Sequence, residues 1–245
     1  MFKKVLSSLG FGCATIDTVI GEQEVVAGQP LHAELQVRGG DTEQDIQAVI
    51  LELVTECRVE MTENASRRGE VVVASSRIEV GRIGANEERT IPLRLDVPAG
   101  APVTDGSTKS ELRTRLEILG GIDPRDSDQV KILPTPVVAA ILQGMKKAGF
   151  LLVDTEVEHR PDDPSHPVVQ EFDFRPVPAV DFGVDDVELS FFPIEGGVEV
   201  LVMADSRAGI RGGQHAEPIR LEVMETDIAG LDFAAKLRAA IGETG

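Results

Sequence analysis

The sequence predicts an all-β chain of two antiparallel β-sandwiches, joined by a short helix and closed by another. Three observations predict it. Most of the chain alternates apolar and polar residues with period two, as half-buried antiparallel strands do. Turn signals separate these runs at short intervals, the spacing of a sandwich. Helical spacing is clear in two places, one in the middle of the chain and one at its end. The 245 residues suit one large domain or two small ones, and an apolar content of 42% is enough to build packed cores.

The first half opens its alternation at Leu31, Ala33, Leu35 and Val37, with His32, Glu34 and Gln36 between them. Ile46 to Val59 is longer, apolar on both faces at first and then on one (Leu53, Cys57, Val59), which predicts a long, bent central strand. Ile91, Leu93, Leu95 and Val97 form a further strand, and Leu112, Leu116 and Ile118 another. Gly39-Gly40-Asp41, Gly81 to Asn86 and Pro98 to Gly106 supply turns. Ile122 to Asp128 reads as a polar turn before the apolar run Val130 to Leu133.

The rhythm then changes. Val137, Val138, Ile141, Leu142 and Met145 have helical spacing, with Pro136 at the start and Gly149 past the end. This marks a boundary between residues 1–132 and 133–245. Strands resume with Leu151, Val153 and Val157, then Val168, Phe172 and Phe174. Val187, Leu189 and Phe191 lead through Gly196-Gly197 to Val198, Val200 and Val202, a β-hairpin. Ile219, Leu221 and Val223 form a last strand, and Asp227 to Ile241 reads as one helical tail. The stripe of that tail is Phe233, Ala234, Leu237, Ala240 and Ile241, suited to capping the second core.

The charge excludes classes of function. Lys+Arg is 24 and Asp+Glu is 42, a formal net charge of −18, with no Trp or Tyr. Nucleic-acid binding normally needs a basic surface, often with stacking rings, and an anionic membrane would repel such a chain. Residues 1–132 carry a net −7 and residues 133–245 a net −11, so a docking partner of the second half is expected to be basic. The two cysteines, Cys13 and Cys57, are too few for a disulfide framework, and Cys57 is expected to be a buried thiol. The opening Met1 to Leu6 lacks a continuous apolar run after it, and no stretch nears the length that spans a bilayer. A cytoplasmic protein without membrane insertion is expected.

Several ordered segments resemble the bacterial sporulation-control protein M family. Phe2 to Gly12 is similar to its opening helix, and Ala14-Thr15-Ile16-Asp17-Thr18-Val19 to its first strand. Gly39-Gly40 followed by Ile46 to Glu56 resembles its long strand after a glycine turn. Asp123 to Asp128, Pro134, Pro136 and the helix ending at Gly149-Phe150 resemble its linker. Val169 to Phe174 and Gly196 to Val200 resemble its second half. The resemblance implies two arrestin-like domains and a regulatory or scaffolding role, in sporulation or in stress and developmental control, with no known catalysis. The chain departs from the family at Asp205 to Gln214, where two arginines stand in a stretch that is usually more basic.

Candidate chemistry is sparse. His159 to His166 gathers two His and two Asp, but its prolines and spacing suit an exposed loop better than a zinc site. Asp123, Asp126 and Asp128 are distantly like a calcium loop without its glycine and distal Glu, so a turn closed by side-chain hydrogen bonds is expected. Asp185-Asp186 near Glu188 reads as a solvated acidic edge. Gly209 to Gly213 with Arg207 and Arg211 reads as a flexible turn, since no helix pattern opens after it. No nucleophile motif occurs. Phe191 and Phe192 place rings on opposite faces of one strand, so one ring must leave the core, with packing on the linker helix as the expected place. Phe191, Phe192, Arg207 and Arg211 are thus the candidate interaction residues. No catalytic residue, metal ligand or cofactor is assigned.

The reading is a regulatory scaffold or adaptor that binds other proteins, including ones with basic surfaces, and pairs with itself through sheet edges or helix packing. Two alternatives come from other classes: a metal-dependent enzyme using the His159–His166 loop, and a small-molecule carrier with its ligand between the domains.

Overall fold

Strands form where period-two alternation leaves one face apolar, and the first unit shows this most plainly. The computed structural model describes residues 12–62, 65–105, 108–178, 182–205 and 218–243. The segments at 2–11 and around Arg207, Arg211 and Gly209 to Gly213 lie outside them. Two compact units result, the first from Met1–Thr55, Glu70–Pro98 and Lys109–Ile132, the second from Glu56–Gly69, Ala99–Thr108 and Leu133–Gly245. The main change of unit falls at 132/133, and two shorter stretches of the first half also belong to the second unit.

The first unit packs two sheets. One orders β1 (Thr15–Ile20), β3 (Pro30–Arg38) and β7 (Glu88–Asp96) side by side, all antiparallel. The other is built on β4 (Gln44–Thr62), which pairs with β5 (Ala65–Ile78), β6 (Gly81–Ile83) and β8 (Ser110–Ile118). β8 continues to β9 (Arg125–Leu133), which pairs with β2 (Glu24–Val26). The buried stripes are the expected ones: Leu31, Ala33, Leu35 and Val37 on β3, Leu93 and Leu95 on β7, Leu112, Leu116 and Ile118 on β8. Each of the Val, Leu and Ile side chains among them contributes about 1.5–3 kcal/mol by leaving water. β4 is long as predicted, with a register shift between Ile46 and Ala48 that buries both Ala48 and Val49. Cys57 on the same strand is buried. Gly39 and Gly40 lie against backbone: an added Cβ would come within 2.1 Å of Gly84 O and 1.9 Å of Gly12 O.

The second unit is an antiparallel sheet in the order β14 (Ile219–Met224), β13 (Gly197–Asp205), β12 (Asp186–Ile194), β11 (Val168–Pro176), β10 (Phe150–His159). Arg58 near the end of β4 pairs in parallel with Glu158 of β10. Helix α1 (Pro136–Lys147) and helix α2 (Phe233–Glu243) share the core of this unit. Val137, Val138, Ile141 and Met145 of α1 and Phe233 and Leu237 of α2 are buried with Phe172, Phe174, Val187, Leu189, Val200 and Val202 of the sheet. Capping by the C-terminal helix is therefore realised, and both helices cover one face of the sheet rather than only joining and closing domains. Thr135 caps α1 by accepting from Val138 N, and Gly149, at φ 89°, follows its C-cap, Ala148.

Four expectations need correction. The polar turn at Ile122 to Asp128 ends early: β9 starts at Arg125 because its residues pair with β8 through Arg115↔Arg125 and Ser110↔Val130. Asp123 does close a turn, accepting from Ile118 N at 2.9 Å, while Asp126 and Asp128 are strand residues. The tail from Asp227 is not one helix. Residues Glu225–Gly230 form a 3-10 turn, and Asp232 starts α2 afresh by accepting from Ala235 N. Leu151 and Val153 are exposed, not core, because a bulge between Leu152 and Asp154 changes the face, leaving Phe150, Thr155 and Val157 inside. The turn at Gly81 to Asn86 contains the short strand β6, and β2 and β5 form where no strand was expected.

Candidate functional site

The outer face of β10, β11 and β12 carries the strongest electrostatic feature of the second unit. Opposite the core-facing Phe172, Phe174, Val187 and Leu189, period two places Asp154, Glu156 and Glu158 on β10, Glu171 and Asp173 on β11, and Asp186 and Glu188 on β12. Register then sets like charges side by side: Asp154 faces Asp173, Glu156 faces Glu171, and Asp173 faces Glu188. Like charges directly opposite one another on neighbouring strands are destabilising.

Arginines offset part of this charge. Arg160 reaches both Glu158, at 2.6 Å, and Glu171, at 2.9 Å. Arg58 pairs with Glu156 at 2.9 Å, and Arg175 with Asp186 at 2.6 Å. Among the described residues, Arg160, Arg58 and Arg175 pair with carboxylates of a face that carries more than twice as many of them. The Glu171 side chain is 17% exposed. Its burial, with Glu188 and Glu158 beside it, pushes its carboxyl up to about 7, against the opposing pull of Arg160. Burial, then Asp154, Glu156 and Asp186, likewise raise Asp173. Leu151 and Val153, exposed by the bulge, add apolar surface on β10.

The first unit has a contrasting face. An open groove of about 650 Å³ lies on β4, β8 and β9, lined by Ile50, Glu52, Arg113, Arg115, Arg125 and Ser127 among others. Its arginines Arg113 and Arg115 are held by carboxylates around it. Arg113 holds Glu70 through two hydrogen bonds, at 2.7 and 2.8 Å, and also pairs with Glu111. Arg115 pairs with Asp123 at 3.1 Å, and Arg77 pairs with Glu117. The Arg113 hydrogen bond holds the Glu70 carboxyl below its ordinary value, and Arg77 does the same for Glu117.

The residues singled out from sequence are placed as follows. Phe191 is half-buried against the core, edge-on to Phe172 with ring centroids 5.4 Å apart. Phe192 meets His166 edge-on at 4.7 Å, so the outward ring packs on the His159–His166 loop and not on the linker helix. That loop is closed on itself. Arg160 N donates to Pro167 O at 2.8 Å, and Asp163 Oδ1 accepts from Ser165 N and His166 N. Among the described residues no group of three or more His, Cys, Asp and Glu side chains is placed to hold a metal ion. Asp186 is engaged by Arg175. Arg207 and Arg211 lie outside the described residues.

The acidic face was missed as a unit, although its parts are written in the alternations Asp154-Thr155-Glu156-Val157-Glu158 and Glu171-Phe172-Asp173. A one-sign polar face on successive strands was the signal. Among the described residues no helix is long and apolar enough to cross a membrane.

Comparison with known proteins agrees with this architecture. The family described as SpoOM protein matches residues 2–208. The sporulation-control protein spo0M of Bacillus subtilis (strain 168) is 31% identical over 215 residues, covering 86% of this chain and 83% of the relative. The crystal structure of Spo0M from Bacillus subtilis superposes with a TM-score of 0.81 at 25% identity, covering 95% of this chain and 98% of that one. The fold is mainly strand, as the alternation predicted, and arrestin-like, as the family resemblance implied.

Proposed function

The chain belongs to the SpoOM protein family, and from that premise we propose that it is a cytoplasmic regulator in sporulation control that works by docking another protein. The relative's name supports the regulatory role. The observation that carries the docking mechanism is the acidic face of β10, β11 and β12, where like charges stand opposite one another. Cross-strand carboxylates raise the energy of the isolated protein, and a basic partner surface would relieve that cost on binding. The partner is therefore a protein with a Lys- and Arg-rich patch, and association is fast at low salt and weakens as salt screens the face. A scaffold of this kind needs no reacting group.

The test pairs the parent chain with a quadruple variant, Glu156→Gln, Glu171→Gln, Asp173→Asn and Glu188→Gln. Each is expressed in Bacillus subtilis in place of the relative, cross-linked during sporulation and scored for spore yield. The docking reading expects a basic protein recovered with the parent, lost with the variant, and a changed spore yield. Equal recovery and equal spore yield for both would overturn it.

A further inference from the structure

A second group of oxygen atoms lies in the first unit, independent of the docking face. The inward positions of β8 run Ser110, Leu112, Thr114, Leu116 and Ile118, so Thr114, 1% exposed, sets a hydroxyl within an apolar stripe. Asp126 of β9 lies opposite Thr114, and Asp128 opposite Leu112. Thr18 of β1, 4% exposed, donates its backbone N–H to Asp126 Oδ2 at 2.6 Å, which brings β1 to β9.

Three buried oxygens here have no hydrogen-bond partner among the described residues: Thr18 Oγ1, Thr114 Oγ1 and Asp128 Oδ2. Leaving a buried polar atom unsatisfied is costly, so such atoms rarely occur together without a ligand. Asp126 and the exposed Asp17 of β1 stand beside Asp128, so negative charge already crowds the site. All the donor atoms are oxygen, from carboxylates and hydroxyls. That is the chemistry of a hard cation, not of zinc or copper.

We propose that Asp126, Asp128, Thr18 and Thr114 form a calcium site where β1 meets β9, with the exposed Asp17 beside it. Calcium fits better than magnesium because the ligands come from three separate strands, and calcium accepts flexible geometry whereas magnesium demands a near-octahedral one. Backbone carbonyls and water complete the usual set of about 6–8 oxygens. With two carboxylates as the core of the set, affinity falls in the weak class of about 10⁻⁴–10⁻³ M. A bound ion would tie β1, the edge strand of one sheet, to β9 of the other.

The test uses the full chain stripped with chelator. Calcium is titrated by calorimetry and by thermal unfolding up to about 10 mM, tenfold above the weak end of that class, with magnesium in parallel. The site expects saturable heat from calcium, a midpoint raised by several degrees, and a smaller response to magnesium. Asp128→Asn separates the site from simple destabilisation. Without calcium it should unfold at a higher temperature than the parent, because a buried charge is gone, yet its calcium affinity should fall at least tenfold. Thr114→Val keeps both carboxylates and should weaken calcium several-fold. The proposal is overturned if calcium leaves heat and midpoint unchanged, or if Asp128→Asn responds like the parent. It is also overturned if lower pH alone raises the metal-free midpoint and calcium adds nothing, since a proton and water would then serve these atoms.

Discussion

The two units put opposite electrostatics on the same kind of surface. On the first, arginines of β8 alternate with carboxylates of β5 and β8, and Arg113, Arg115 and Arg77 each have a counter-charge. On the second, carboxylates of β10, β11 and β12 face one another, and Arg160 is shared between Glu158 and Glu171. Alternation of apolar and polar residues builds both sheets, and the sign pattern within the polar half does not alter the fold. It alters what the face costs alone and what it attracts. A face whose charges already pair has little to gain from a partner, while a face with an excess of one sign gains by meeting the other sign.

The sharpest way to break this contrast is pH. The folded-state value of Glu171, about 7, lies above the ordinary 4.5. The stabilisation from its protonated form is full below pH 4.5 and is lost as pH rises through about 7. Up to about 3 kcal/mol of second-unit stability should disappear across that window. Hydrogen exchange of β11 amides, followed from pH 5 to 8 and corrected for intrinsic exchange, should show the loss, and Glu171→Gln should flatten it. Amides of β8 should change far less. Parallel profiles for β8 and β11 would mean the two faces do not differ as described.

Arg160→Ala comes next. Removing the shared guanidinium leaves half-buried carboxylates together and should cost about 1–3 kcal/mol at pH 8, with a smaller loss at pH 5, read by chemical denaturation. Arg113→Ala is the matched change in the first unit. Its partners are one-third to one-half exposed, so the loss should be about 0.5–1 kcal/mol and should shrink in high salt. The smallest effect is that of salt on the parent. Screening should slightly strengthen protection of β11 and slightly weaken that of β8, so the two shifts carry opposite signs in hydrogen exchange.

Much of the fold was legible because burial on one face imposes period two. The stripes Leu31 to Val37 and Leu112 to Ile118 and the helix at Pro136 sit where the pattern puts them. β5 was not legible: its sequence ASRRGEVVVASSRI mixes polar and apolar residues without a strict period. β9 was obscured because Asp126 and Asp128 occupy inward-side positions usually held by apolar residues. The bulge at Leu152 was hidden, since one extra residue leaves composition unchanged while moving Leu151 and Val153 outward. The site was only partly legible. Phe191 and Phe192 drew notice as a ring pair, yet their contacts with Phe172 and His166 depend on register and loop closure. The acidic face needed the pairing of β10 with β11 before separate alternations became one surface. The net charge of residues 133–245 pointed to it without locating it.

The most direct measurement of the central claim is a carboxyl titration of Glu171 by carbon-detected NMR, with and without an oligolysine peptide. The docking account predicts a midpoint near 7 for the chain alone, since burial and neighbouring carboxylates raise it. It predicts a fall toward the ordinary range when the peptide neutralises the face. A midpoint near 4.5 without peptide, or one the peptide does not move, would contradict it.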